Sequence, residues 1–577
     1  MGGVTGERHR EHIEQVFESH AGSKWLLSAL ASRSTIIGVQ PVTRRDLLLG
    51  GAAAAAAGAL AGCGGSGSPR PSPATTTAPR PPEVRTLTTQ IQGTGTYAYL
   101  PFDVPPGVAR VEVAARSEPP DAKLGVGLFD ARGTAYQSPG FRGIYGEERD
   151  TFFVAADAAS QSFTPGPMDA GRWTVIVPVF FAAQPTAVTV TVTLTFGVAV
   201  PVAGPGPVLG VVLDRPGWYR GDLHCHTPES SDAWRSRTAL TPADWAVQAR
   251  RDGLDFAAMT DHNVITQNES LARDAGEDML LMAGEEMTNW FDGHATVSGI
   301  VPRQWLDFRQ TPEGQPLLTD GARIRDFFRA AHELGAYVSA AHPSFGPIAW
   351  RFRDEMVRDD SRPDGWEVWT GPFQFDDEQS VRDWDAMLQR GWRVHANGGS
   401  DLHGTENKFG FRLGTPTTVV CAGKLAQPDI IAALRAGRTF VMRRPDGVEC
   451  YLTGTLAGSR TYVGGTLTGP RGATAEIEAL VRGGGGMRLV LISGGRTLST
   501  TPLTADEQVV RATVAVPGYV RAEVRGAQHP APPGKPLAFE NDMECLTNPI
   551  WLVEGASSQP PLDEVAPPGP PGPRRRS

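Results

Sequence analysis

From residue 218 to about 396 the chain alternates short apolar runs of strand length with longer stretches of helical pattern, and this limits its folds more than anything else in the sequence. The runs at 218–223, 254–259, 279–283, 336–341, 367–370 and 393–396 read as strands. A helix is expected to open at Thr241, with Pro242 at the first helical position, where its missing N–H costs nothing, and to close at Gly253. Further helical patterns cover 321–334 and 377–390. Strands joined through helices can lie parallel, so the segment predicts an α/β fold on a mainly parallel sheet, closed or doubly wound. On either side the period shortens to two. Segments 96–102, 109–115, 124–129, 173–178 and 187–196 alternate apolar and polar residues between turns, the pattern of a β-sandwich. Segments 475–481, 487–493, 509–516 and 519–524 do the same for a second, smaller one. The N-terminal sandwich reads as a spacer, with a binding or positioning module as the alternative.

A chain of 577 residues exceeds what one hydrophobic core can serve. Its patterning gives an N-terminal extension and export signal over 1–63, a disordered linker over 64–83, a β-sandwich over 84–200 and a linker over 201–217. The α/β segment occupies 218–445, then a C-terminal β domain 446–555 and a disordered Pro-rich tail 556–577. The 67 Gly and 48 Pro fit those linkers and turns. A formal net charge of −9 argues against a surface that coats nucleic acid, yet it leaves room for a small anionic substrate drawn to a local cationic site.

Thr43-Arg44-Arg45-Asp46-Leu47-Leu48-Leu49 sets twin arginines before an apolar stretch, 47–61, that is too short and too rich in Ala and Gly to span a membrane. The stretch ends in Leu60-Ala61-Gly62-Cys63, which resembles the lipobox of bacterial lipoproteins, as the paired arginines resemble a twin-arginine signal. Together they predict a cargo exported in folded form and anchored to the membrane through a lipid on Cys63, at the outer face of the cytoplasmic membrane or in the periplasm. Residues 1–42 are long for the region before such a signal, which leaves the true start open. Five cysteines are too few for a disulfide framework in a chain of this size. Cys450 and Cys545 could pair in an oxidising compartment.

Six of the twelve histidines lie in short polar motifs at or near predicted strand ends. His224 and His226 follow the first strand, Asp261 and His262 the second, Glu286 the third and His342 the fourth. Asp401 and His403 follow the last, after an Asn-Gly-Gly-Ser turn. In a parallel sheet or barrel those ends share one rim, where loops build active sites. Neutral imidazole together with carboxylate suits zinc, manganese or iron. Residues two apart on an extended segment share a face, so His224 and His226 can ligate one ion while Cys225 points away. Taken singly, an H-x-H is more often coincidence and an Asp-His pair more often a turn. Their recurrence in register with strand ends is what points to metal.

The motifs His224-Cys225-His226-Thr227, Thr260-Asp261-His262-Asn263, Gly284-Glu285-Glu286, Gly293-His294, Ala341-His342-Pro343 and Gly399-Ser400-Asp401-Leu402-His403 resemble, in order, those of the polymerase and histidinol phosphatase (PHP) superfamily, over roughly 218–445. That resemblance implies a distorted seven-stranded (β/α)7 barrel with two or three divalent metals at its rim. By position, His224, His226, Glu286 and Asp401 would hold one metal; Glu286, His294 and His342 a second; Asp232, His262 and His403 a third. Asp232 lies in Ser-Ser-Asp where the family often has Ser-Asp-Gly, with Ala233 in place of the glycine. Only family spacing selects Glu286 over Glu285. Asp261 reads as a carboxylate partner for the far nitrogen of a ligating histidine. A β domain, the barrel and a second β domain ending near Leu546-Thr547-Asn548-Pro549-Ile550-Trp551 are similar to the CehA/McbA branch.

The expected activity is hydrolysis of a small ester or phosphoester by a metal-activated hydroxide. A phosphoesterase on mono- or diesters comes first, with nucleotide or nucleic acid only as substrate. A carboxylester, carbamate or amide hydrolase is the second reading, and a non-catalytic envelope-binding lipoprotein the third. His262 or His403 is expected to pass a proton to the leaving group if the third metal site is empty. Lys408 and Arg412 can bind an anionic substrate or sit solvated. His332 and His395 read as packing residues, and no protein partner is evident.

Overall fold

The computed structural model describes residues 80–198, 204–233, 236–312, 314–352, 362–405, 411–529 and 541–556. The twin-arginine stretch, Cys63, the linker up to residue 79, Lys408 and the tail from 557 lie outside them. The described residues belong to one unit, Arg80–Ser577, in which strands outnumber helices.

In the N-terminal segment the period of two yields two layers that share one long strand. Gly171–Phe196 pairs through its first half with Thr96–Val104 and Val126–Phe129, and through its second with Glu83–Gly93 and Val108–Glu118. Inward residues such as Trp173, Val175, Val190 and Val192 are fully buried between the layers, as alternation on two facing sheets requires. This sandwich packs directly on the central α/β segment. Phe141 stacks on Trp305 with ring centroids 4.0 Å apart, and Trp305 Nε1 donates to the Ser138 carbonyl at 3.0 Å. Buried Arg309, paired with Asp307, donates to Tyr99 Oη at 3.0 Å and to the Thr134 carbonyl at 2.9 Å.

In the central segment Gly217–Cys225, Phe256–Met259 and Leu280–Asn289 run parallel. Gly293–Ser298 is antiparallel to both of its neighbours, Leu280–Asn289 and Tyr337–Ala341. Tyr337–Ala341, Gly365–Thr370 and His395–Gly399 are again mutually parallel. The chain leaving His395–Gly399 then returns to the first strand: Leu402 bridges Cys225, His226 N–H donates to the Leu402 carbonyl at 3.2 Å, and Asp401 N–H donates to the His224 carbonyl at 2.8 Å. The two ends of a seven-strand path therefore meet.

Helices Pro242–Arg251, Ile324–Glu333 and Phe375–Gln389 fall where the sequence places them, and the first has its Thr241 cap completed by Asp244. Regular strand–helix alternation is not kept, however. The few residues between Asn289 and Gly293 can only reverse the chain, with Gly293 at φ +118°, so an antiparallel strand stands where a crossover was expected. Thr417–Ala422 also pairs antiparallel with the first strand, Thr439–Met442 with it, and Asn541–Thr547 with that. The C-terminal β segment thus continues the central sheet. Cys450 and Cys545 lie in one hydrophobic cluster as free, buried thiols, so the pairing considered for them is not made.

Candidate metal centre

Strand register brings the polar motifs together. Hydrogen bonding continues past the strand ends, so that His262 bridges Glu286 in parallel just as Cys225 bridges Leu402. Leu280–Asn289 runs further than its apolar pattern, which puts Glu286 within the strand. Glu285 and Glu286 consequently face opposite sides: Glu285 accepts the Leu306 N–H at 2.9 Å, and Glu286 faces the histidines. Gly293–Ser298 runs the other way, so His294 reaches the same rim from the start of its strand, opposite Thr288 on one side and Ala341 on the other. The last strand covers His395–Gly399 and absorbs the Asn-Gly-Gly expected as a turn, because Asn397 Nδ2 donates to Tyr337 Oη at 2.7 Å and Ser339 Oγ at 2.8 Å. Gly399 is needed there. A Cβ on it would lie 2.3 Å from the His224 Cβ.

Around Glu286 the side chains crowd closely. One carboxylate oxygen lies 3.3 Å from Nε2 of both His224 and His226 and 2.8 Å from His262 Nδ1; the other lies 2.9 Å from His294 Nδ1 and 3.2 Å from His342 Nε2. Asp401 Oδ1 is 3.2 Å from His226 Nε2 and 3.5 Å from His224 Nε2. Asp232 sits 3.0 Å from His403 Nε2 and 3.5 Å from His262 Nε2, even with Ala233 beside it. Three-residue sets with ligand atoms all within 4.8 Å of one another are His224, His226, Asp401; His224, Glu286, His342; His262, Glu286, His294; and His226, His262, His403. His342 thus shares an ion-sized space with His224, and His226 with the third set, which family position alone does not indicate.

The donor chemistry fits divalent cations. Buried Nε2 of His224 and of His226 and the Glu286 oxygen they face have no hydrogen-bond partner, a cost that a shared cation removes, whereas His294 and His342 turn their other ring nitrogens to Glu286. Burial, and then His403 and His262, push the His226 pKa down to about 3, and burial takes His294 to about 4, leaving neutral rings suited to ligation. Burial opposes the charge on Glu286, but His262, His224 and His294 outweigh it and hold the carboxyl well below the ordinary range. His342 at φ +29°, Asp401 at φ +52° and Asn263, beside His262, at φ +52° adopt left-handed backbone that costs such residues energy and that collects at functional sites.

The outer partners differ in part from expectation. Asp261 does not reach a ring nitrogen. It accepts from Thr227 N–H at 2.6 Å, Thr227 Oγ1 at 2.8 Å and the Ser230 hydroxyl, whose oxygen lies 2.9 Å from His226 Nδ1, so its carboxylate acts on His226 through Ser230. The direct carboxylate partner is Glu367, which the sequence shows only as part of a strand. It accepts from His224 Nδ1 at 3.1 Å, His342 N–H at 2.7 Å and Thr370 Oγ1 at 2.9 Å. The signal was an ionisable residue at an inward position of an otherwise apolar strand. Asp222, fully buried, accepts from Ser400 N–H at 2.9 Å and Gly414 N–H at 2.8 Å and fixes the final loop to the first strand.

The N-terminal sandwich grips the loop that carries Ser230 and Asp232. Ser162, buried and at φ +69°, donates its N–H to Glu229 Oε2 at 2.6 Å and its hydroxyl to the Glu229 carbonyl at 2.5 Å, and Gln161 donates to the Pro228 carbonyl. Cys225 is buried with its thiol directed at the Asp222 carbonyl, away from the cluster. Arg412 is part of a local bridge with Thr415 and does not join the cluster. His332 pairs with Asp364 at 3.2 Å, and His395 is buried at the start of its strand; neither joins the cluster.

No protein-family model matches the chain, and no curated protein matches it in sequence. Among solved structures, a two-domain protein from Bacteroides vulgatus, described as containing a predicted PHP-like metal-dependent phosphoesterase, is 18% identical over 57% of this chain and 96% of its own, with a TM-score of 0.31. A family two carbohydrate esterase from Cellvibrio japonicus is 10% identical over 61% and 95%, with a TM-score of 0.15. Likenesses this distant fix no common fold, so the reading of the centre rests on its own geometry.

Proposed function

We propose that this chain is a metal-dependent hydrolase of the PHP type, with a distorted seven-stranded barrel as its central fold and a phosphoester as its substrate. The supporting observation is the convergence of six histidines, Glu286, Asp401 and Asp232 from strands of the central sheet and their loops, with Nε2 of His224 and of His226 left unpartnered beside Glu286 and Asp401. Divalent ions held there would supply Lewis acidity and bring the pKa of water near 7. His224, His226, Glu286 and Asp401 would hold one ion, Glu286, His294 and His342 a second, and Asp232, His262 and His403 a third. Adjacent cations suit a substrate that is itself an anion and gains charge in its transition state, which favours phosphoester over carboxylester. Side-chain exposure rises from 0% at His224 and His226 to 15% at His262 and 30% at His403, so the third set faces arriving substrate. Nε2 of His262 and of His403 lie 3.4 Å apart beside Asp232, placed to pass a proton to the leaving group when they carry no cation.

A panel of p-nitrophenyl phosphate, its bis-ester and a naphthyl carbamate, each with added manganese or zinc, tests the reading. Turnover of a phosphoester, abolished in His224→Ala/His226→Ala, is expected. Turnover of the carbamate alone would assign a carboxyl-type hydrolase, and no turnover at all would favour the non-catalytic lipoprotein. We further propose export by the twin-arginine route and lipidation at Cys63, checked by palmitate labelling that Cys63→Ala abolishes.

A further inference from the structure

Opposite the metal rim, the beginnings of three parallel strands form a second constellation. Asp364 precedes Gly365–Thr370, Arg393 comes just before the last strand and His395 opens it, His332 lies in the last turn of the helix that leads to Tyr337–Ala341, and Arg435 ends the helix Gln427–Arg435. The Ser459–Tyr462 strand of the C-terminal segment brings Arg460 to the same place, and together they enclose a groove of about 570 Å³ that also receives Arg362.

Charge in this groove is unbalanced. Its one carboxylate among the described residues, Asp364, already accepts from Val338 N–H at 3.0 Å, lies 3.2 Å from His332 Nε2 and is 3.5 Å from Arg435 Nε. Among the described residues no carboxylate is paired with Arg362, Arg393 or Arg460; Arg393 donates only to Thr466 Oγ1 at 3.0 Å and lies over the Trp551 ring. Two groups register the resulting potential. Burial, and then Arg362, lower the Arg393 pKa, and burial together with Arg393 and Arg362 drives His395 to about 4 despite Asp364. His395, 6% exposed, also keeps Nδ1 without a hydrogen-bond partner. Guanidinium groups present paired donors that match the edges of an oxyanion, and the Ser459 and Thr461 hydroxyls beside them add neutral donors.

We propose that this groove is a second anion site, built to take the phosphate or diphosphate group of a free small molecule, at the end of the central strands away from the metal centre. It does not depend on the hydrolase reading. The test is titration calorimetry with inorganic phosphate and with pyrophosphate at constant ionic strength, on the full chain stripped of metal by a chelator so that the metal centre contributes no cation. One saturable site is expected, with pyrophosphate binding more tightly than phosphate. Arg362→Ala/Arg460→Ala should weaken it at least tenfold, and Arg393→Lys, which keeps the charge but loses the fork, should weaken it severalfold. Both variants should melt where the parent chain does in phosphate-free buffer. If Arg362→Ala/Arg460→Ala unfolds, the Arg393→Lys titration decides alone. No saturable binding in the metal-free chain, or equal affinity in the variants, would overturn the proposal.

Discussion

Replacing Glu367 by Gln keeps the shape of the side chain and removes what three donors require. His224 Nδ1 faces one oxygen, while His342 N–H and Thr370 Oγ1 face the other. An amide has one acceptor end, so its NH2 must confront either the His224 ring or the His342 backbone. If it confronts the ring, His224 loses the partner that fixes Nδ1–H and leaves Nε2 for a cation; if it confronts the backbone, a residue already at φ +29° loses its restraint. Loss of such a partner typically costs 10- to 100-fold in metal affinity, or about 1.4–2.7 kcal/mol. The assay is competitive metal titration followed by elemental analysis, with Glu285→Gln as control, because that neighbouring buried carboxyl faces the Leu306 amide on the opposite side. Glu367→Gln should bind metal 10- to 100-fold more weakly and Glu285→Gln should bind as the parent does. Equal affinities for all three would refute the role given to Glu367.

Gly399→Ala forces a methyl against the His224 Cβ, and overpacking of this kind costs about 1–3 kcal/mol, so a lower Tm and lower metal content are expected together; a variant of normal Tm and full metal content would contradict the close approach. Ser162→Ala removes the hydroxyl bond to the Glu229 carbonyl, worth about 1 kcal/mol, and should weaken the outermost bound cation, measured by metal titration, while the others stay at parental affinity. His395 carries a folded pKa of about 4 against 6.5 in the open chain, so its contribution is complete above pH 6.5 and is lost as pH falls toward 4. Across that window the parent should lose about 3 kcal/mol more than His395→Gln in urea unfolding, and parallel pH profiles would rule this out.

Much of the cluster was legible because most of its side chains follow strand ends, where a period of two or a buried apolar run betrays the strand and the next polar residues betray the rim. Asp232 and His294 could be placed only by motif, since neither follows an apolar run read as a strand. Glu367 escaped because it lies inside a strand, where burial hides an ionisable group among Trp366, Val368 and Trp369. The reversal at Gly293 escaped because a short hairpin and a crossover begin alike in apolar pattern. The grip of Ser162 on Glu229 joins residues 67 positions apart, and no local signal in either segment announces it.

Asn548 has a bearing on the order in which the molecule can be made. Its amide oxygen accepts the Ala396 N–H and its nitrogen donates to the Ala396 carbonyl, both at 2.8 Å, while also reaching Thr439. The strand that delivers Asp401 is thus squared off by a side chain that leaves the ribosome more than a hundred residues later. That brace on the last strand of the path is therefore in place only once nearly the whole chain has been made.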